Sequence, residues 1–290
     1  MTPARRAQDP EHEPEGGAFR PVLFYALAFA IAWGAWTPLL LHKIEVLRLP
    51  VPFVVALFVG QTLGAFAPLL ALLVIQRISN DPTLVKQVFS RLRFRGVSTF
   101  WYLVPALTPI AITIAINLQY GLFSGSEIAV LRPEPVQQLG WALLAVIPFQ
   151  FMLGMIGSPL GEEPGWRGYI LDRFSRRGRA LAGSGIVAGL WWIWHLPLFV
   201  VLGVSPNGYT FLTMAGHSLL IDSLFLLSRN NLLVAMLYHQ GINTSFLFLM
   251  SKAETPSGSA LLLLVAIITR AVVHYRCALS PMRTQGANEE

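Results

Sequence analysis

Gly161-Glu162-Glu163-Pro164-Gly165-Trp166-Arg167-Gly168 sets two adjacent carboxylates and a guanidinium at the end of a long apolar run. The rest of the chain avoids charge. Of its 290 residues, 12% are charged and 54% hydrophobic, with a mean hydropathy of +0.57, against about 25% charged in a soluble domain. That deficit points to a polytopic membrane protein. An ionisable side chain at bilayer depth costs about 3 kcal/mol or more, so the cluster is either a functional site or the charged rim of a membrane helix.

Outward from this stretch, eight apolar runs each approach the ~20 residues that cross a bilayer as a helix. They lie at about 21–42, 51–76, 101–123, 140–160, 181–202, 209–227, 232–250 and 259–275. The expected fold is all-α: a bundle of about eight transmembrane helices forming one membrane domain over 21–276. A Pro- and Glu-rich disordered tail (1–20) precedes it and a short tail (277–290) follows.

Basic residues between the runs set the expected orientation. Arg5, Arg6, Arg20, Arg77, Lys86, Arg91, Arg93, Arg95, Arg173, Arg176, Arg177, Arg179, Arg229, Arg270, Arg276 and Arg283 fall on one side. Only Lys43, Arg48, Arg132 and Lys252 fall on the other. By the positive-inside rule, this predicts a multi-pass protein of the cell membrane with both termini cytoplasmic. The net charge of +6 then reads as topology signal and contact with membrane lipid head groups, and nucleic acid is not expected as a partner. The single cysteine, Cys277, excludes an internal disulfide and a Cys-ligated metal. Between Arg77 and Thr99, Leu84, Val85, Val88, Phe89 and Leu92 recur at helical spacing beside Lys86, Arg91 and Arg93. That pattern is either an amphipathic helix on the inner leaflet or a solvated basic loop.

Glu163 and Arg167 are four apart, in the favourable order for an ion pair on one helix face. Pro164 complicates that helix, because proline removes a hydrogen bond and clashes with the carbonyl four residues back. Either the span kinks with Gly161 absorbing the bend, or it breaks at Pro159–Gly161 and a new helix starts near Pro164. Two other runs carry polar faces: Trp191 with His195, and His239 with Asn243, each pair four apart. Taken singly, each histidine is as well read as a hydrogen-bonded packing residue. Glu162 reaches their depth only if helical structure continues past Gly168 toward Phe174.

Glu162-Glu163-x-x-x-Arg167, the aromatic Trp191 beside His195, and His239-x-x-x-Asn243 together resemble the three motifs of the CPBP family, in family order. These intramembrane proteases include the type II CAAX prenyl endopeptidases and bacteriocin-processing or self-immunity proteins, also called the Abi family. The likeness runs from about Val146 to Met250, which makes about 140–250 the expected catalytic core; Trp191 departs from the more usual Phe. The resemblance implies an endopeptidase opening toward the cytoplasm and cutting a membrane-associated peptide, prenylated or leader-bearing. Glu162 would activate water, His195 would help hold it, and His239 and Asn243 would bind the oxyanion. Glu163 and Arg167 would orient the site. A carboxylate and fixed hydrogen-bond donors in a water-poor setting suit this chemistry. Glu162, His195 and His239 also form a conceivable zinc set, but the chain lacks His-Glu-x-x-His, and no required cofactor is expected.

Two other readings stand beside the enzyme. One is a proton-coupled transporter lined by the same groups; the other is a non-enzymatic immunity or scaffold protein. His217 and Asp222, five apart, do not share a helix face, so a triad with Ser218 or Ser223 is poorly supported. They are expected to make helix–helix hydrogen bonds, as are His42, Gln61 and Asn117.

Overall fold

The computed structural model describes residues 19–94 and 98–285, with side chains from 20 to 94 and from 98 to 275. Most of the tail expected at 1–20, together with Arg95 and the last five residues, lies outside the described residues. The described chain is helical. In order, the elements are α1 (Phe19–Lys43), α2 (Phe53–Ala65), α3 (Ala67–Ile78), α4 (Leu84–Phe89), α5 (Phe100–Ser124), α6 (Pro133–Leu139), α7 (Leu143–Gly157) and α8 (Pro159–Glu163). A π-helical stretch, Pro164–Leu171, leads into α9 (Asp172–Arg176), α10 (Ala180–Trp194), α11 (Leu196–Leu202), α12 (Gly208–Leu227), α13 (Leu232–Phe248) and α14 (Pro256–Gln285).

The expected runs all became helix, but the count is more specific than eight. Five helices are long and apolar enough to cross a membrane, and seven if two bent pairs each count as one span. The remaining run is α13, which at 17 residues is about 25 Å long and packs between α5, α7 and α12. The chain is thus a multi-pass membrane protein. Large apolar side chains face outward, as a lipid solvent allows: Phe123 is 84% exposed, Trp141 88% and Leu144 74%.

Prolines shape the part of the bundle that matters. Pro68 and Pro197 each stand at the second position of a new helix, where the missing N–H costs nothing. The bends there are 41° between α2 and α3 and 44° between α10 and α11. His195 occupies the second corner. A third interruption falls at Ser158 (φ −124°, ψ −57°), directly before Pro159. The helix then runs without a gap through α8, the π-helical stretch and α9 to Arg176, which meets the continuity that the depth of Glu162 requires. Pro164 neither breaks nor sharply kinks it. The backbone widens into π geometry at that residue, the usual way a helix absorbs a local misfit. Gly161 sits where α8 meets the α2–α3 corner, and a Cβ there would strike the Ala65 carbonyl.

The segment 84–92 is helical only over α4, and its apolar face is turned to protein rather than to a leaflet. Val88 is buried against Gly168, and Leu84, Val85 and Leu92 pack on the core. Arg91 donates to the Gly168 carbonyl and to Asp172 Oδ2 at 2.6 Å, and Asp172 also accepts from Arg176 and Asn230. Burial pushes the Arg91 guanidinium below its ordinary range, and Asp172 works against that shift. Arg93 donates to the Arg229 carbonyl, and Leu232 N–H to the Arg91 carbonyl at 2.9 Å. The basic loops are therefore stitched into one closed end.

Candidate active site

Glu162 lies in the first turn of α8 and is only 3% exposed. Both its oxygens are held. Ser158 Oγ donates to Oε1 and Trp191 Nε1 to Oε2, each at 2.8 Å. Ser158 owes its position to the break before Pro159, and Trp191 faces inward from the last turns of α10.

Glu163 points to the other side and starts a buried chain of charge. His239 Nδ1 is 2.7 Å from Glu163 Oε1; a carboxylate oxygen accepts here, so Nδ1 carries the proton. Arg167 Nη1 donates to the same oxygen at 3.2 Å, Nε to Asp222 Oδ1 at 2.8 Å and Nη2 to Ser218 Oγ at 2.7 Å. The side chains of Glu163, Arg167 and Asp222 are 0% exposed. Such a cluster is costly to bury and falls apart if one member is removed. The i,i+4 pair expected from sequence is present, but Arg167 is shared between two carboxylates.

Trp191 joins the two groups. Its ring lies 5.3 Å from the Arg167 guanidinium carbon and makes edge contacts with His195 at 5.2 Å and His239 at 5.4 Å. His195 Nδ1 is 2.7 Å from the Trp191 carbonyl, so that nitrogen is the donor and Nε2 is left as an acceptor. His239 Nε2 is 3.4 Å from Ser158 Oγ. Asn243, one turn further along α13, lines the same cavity.

That cavity has a volume of about 1010 Å³ and touches Ser158, Glu162, Trp191, His195, His239 and Asn243. Its apolar walls include Ile112, Ile116, Leu198 and Phe199, and it extends to Arg132, Ser205, Met250 and Glu254. Those last residues belong to the loops opposite the basic ones.

Glu162, Glu163, Arg167, His195, His239 and Asn243 are all brought to one place. Among the described residues, no group of three or more His, Cys, Asp or Glu is drawn together as a metal ion would need. Both Glu162 oxygens and His239 Nδ1 already have protein partners. Sequence reasoning missed Ser158; it expected a helix–helix hydrogen bond from Asp222, which Arg167 supplies, but it did not join Asp222 or Ser218 to this site. The available signal was that Ser218 and Asp222 are four apart and share a face of α12. His217 instead meets the Tyr238 hydroxyl at 3.1 Å, and Asn117 donates to the Met250 carbonyl at 2.6 Å, both in packing roles.

Residues 141–245 match the family model described as type II CAAX prenyl endopeptidase, Rce1-like. Every residue of the site falls inside that segment. The match supports a CAAX-type intramembrane protease in general. None of the curated proteins matches the chain.

Proposed function

From that family match as premise, we propose that the protein is an intramembrane endopeptidase in which Glu162 activates water against a peptide bond of a membrane-associated peptide. The observation that carries this reading is the Glu162 carboxylate itself, buried at a cavity wall and fixed through both oxygens by Ser158 and Trp191. A base held this way keeps its orientation without a shell of water.

In the proposed step Glu162 takes a proton from water while the water oxygen bonds to the scissile carbonyl carbon. His195 Nε2, an acceptor, helps hold that water. The carbonyl oxygen becomes an oxyanion that receives hydrogen bonds from His239 Nε2 and the Asn243 amide. Collapse breaks the C–N bond, and Glu162 returns the proton to the leaving amine. His239 needs a proton on both nitrogens to donate to Glu163 and the oxyanion together. The charge balance favours this: Glu163 and Asp222 against Arg167 leave one negative charge, which an imidazolium offsets. Arg167, Ser218 and Asp222 act through Glu163 as positioning residues. No residue of this step is assigned to a metal, and cleavage is expected to persist when divalent ions are chelated.

The test is comparative proteomics of membranes carrying the wild type or Glu162→Gln. Peptide termini made only by the wild type are expected, with a loss of about 10²–10⁴ in their rate of formation in the variant. Equal termini in both, with the variant folded and inserted, overturn the reading.

A further inference from the structure

We infer that His217 is a further substrate-binding residue, whose Nε2–H donates a hydrogen bond to a main-chain carbonyl of the bound peptide. The identity of that ligand rests on the peptidase reading above; the state of the imidazole does not.

The residue behind the ring locates the proton. Tyr238 is 0% exposed, and among the described residues its hydroxyl has one hydrogen-bond partner, His217 Nδ1 at 3.1 Å. A buried hydroxyl hydrogen needs an acceptor. The bond therefore runs from Tyr238 Oη to Nδ1. In a neutral imidazole, an accepting Nδ1 leaves the proton on Nε2. The opposite tautomer would point Nδ1–H at Tyr238 and leave the hydroxyl hydrogen facing nothing. The packing contact of His217 thus occupies one nitrogen only, and Nε2 has no partner among the described residues.

The free edge of the ring meets the cavity. His217 is 9% exposed and lines that space with Thr213 and Met214 of α12 and with His239 and Asn243 of α13. It also lies at the level of the reacting groups. The short turn 228–231 joins α12 to α13, so the two helices run antiparallel as packed neighbours. From Gly208 to His217 and from His239 to Phe248 is nine residues each, or about 14 Å from the same end of the bundle at ~1.5 Å per residue.

Packed helices stand about 8–10 Å apart. Carbonyls on one edge of an extended peptide recur every two residues, or about 7 Å. A peptide whose scissile carbonyl rests at His239 and Asn243 therefore brings a second carbonyl within reach of His217. Such a contact reads main chain rather than side chain, so it holds peptides of differing sequence in one register.

The test uses the full chain in lipid bilayers with its histidine rings labelled with nitrogen-15. Solid-state NMR identifies the His217 signals by their loss in His217→Gln. Protonation at Nε2 alone is expected. So is a shift of that N–H signal when an acetylated, amidated leucine–isoleucine–alanine tripeptide is added to the Glu162→Gln chain. A proton on Nδ1 overturns the inference whatever the enzyme does, as does an Nε2–H signal that the tripeptide leaves unmoved. Kinetics on a peptide cut by the wild type and not by Glu162→Gln supply the second arm. His217→Phe alone would strand the Tyr238 hydroxyl, so His217→Phe/Tyr238→Phe is set against Tyr238→Phe. The double variant is expected to raise KM about tenfold and to change kcat little. Tyr238→Phe alone, which frees the tautomer but keeps the ring, is expected to raise KM about threefold or less. His217→Gln restores a donor and is expected to recover part of the loss. An equal loss in Tyr238→Phe, or a fall in kcat at unchanged KM, overturns the inference. If no peptide is cut but the tripeptide moves the Nε2–H signal, the donor stands and the peptidase reading falls instead.

Discussion

The two ends of this bundle are built from the same materials to opposite effect. At one end, basic loops are drawn together over Asp172 by Arg91, Arg176 and Asn230, and an apolar residue of α4 caps a glycine. At the other, α2, α5, α7, α11, α12 and α13 stand around a cavity of about 1010 Å³. The reacting groups sit at the boundary between them. What the contrast teaches is that the closed end serves as foundation. It fixes the helix from Pro159 to Arg176, and that helix carries Glu162, Glu163 and Arg167.

The strongest way to break the contrast is to unlatch the closed end. Asp172→Ala leaves Arg91, Arg176 and Asn230 without their shared acceptor, and Arg91 is only 14% exposed. The expected cost is about 3 kcal/mol, since one half of a largely buried pair is stranded. Thermal unfolding followed by tryptophan fluorescence measures it. The double variant Arg91→Ala/Asp172→Ala is expected to lose less than the two single losses combined.

A smaller effect sharpens the boundary itself. Trp191→Phe keeps the ring but removes the N–H that Glu162 Oε2 accepts. A hydrogen bond to a charged group is worth about 1.5–3 kcal/mol, so turnover is expected to fall roughly ten- to hundredfold. KM should change little, because the fault lies in the base rather than the cavity wall. A matching rise in KM would assign Trp191 to substrate binding instead.

The smallest effect belongs to the open rim. Glu254 is exposed there, yet partial burial of its carboxyl pushes it above the ordinary range. A raised carboxyl value means that the folded protein holds the proton more tightly than the unfolded chain. Its contribution is therefore present at low pH and lost as pH rises through the raised value. Glu254→Gln is expected to match the wild type in thermal midpoint near roughly pH 4 and to exceed it slightly near roughly pH 8. The gain is small because much of the side chain is open to solvent.

Much of this was legible in sequence. Hydropathy located the apolar runs, and helical spacing put His239 with Asn243 and Trp191 with His195. Other features were hidden for physical reasons. Asp222 was measured against His217, five residues away, when its true neighbour on the face is Ser218. Arg167 was given one carboxylate because pairing across helices leaves no local pattern. The apolar face of 84–92 was assigned to lipid, since amphipathic spacing does not reveal which apolar surface it meets. Charge bias speaks to orientation, but nothing along the chain says which end of a bundle is hollow.

The π-helical stretch, Pro164–Leu171, also makes the chain sensitive to counting, in one direction only. A π turn holds one residue more than an α turn. Delete one residue there and the backbone can relax into ordinary helix, with Asp172 keeping roughly its bearing toward Arg91 and the two glutamates staying in place. Add one residue instead and the slack is already spent, so everything beyond rotates by about 100°. Between the base and the latch, the helix therefore tolerates a loss better than a gain.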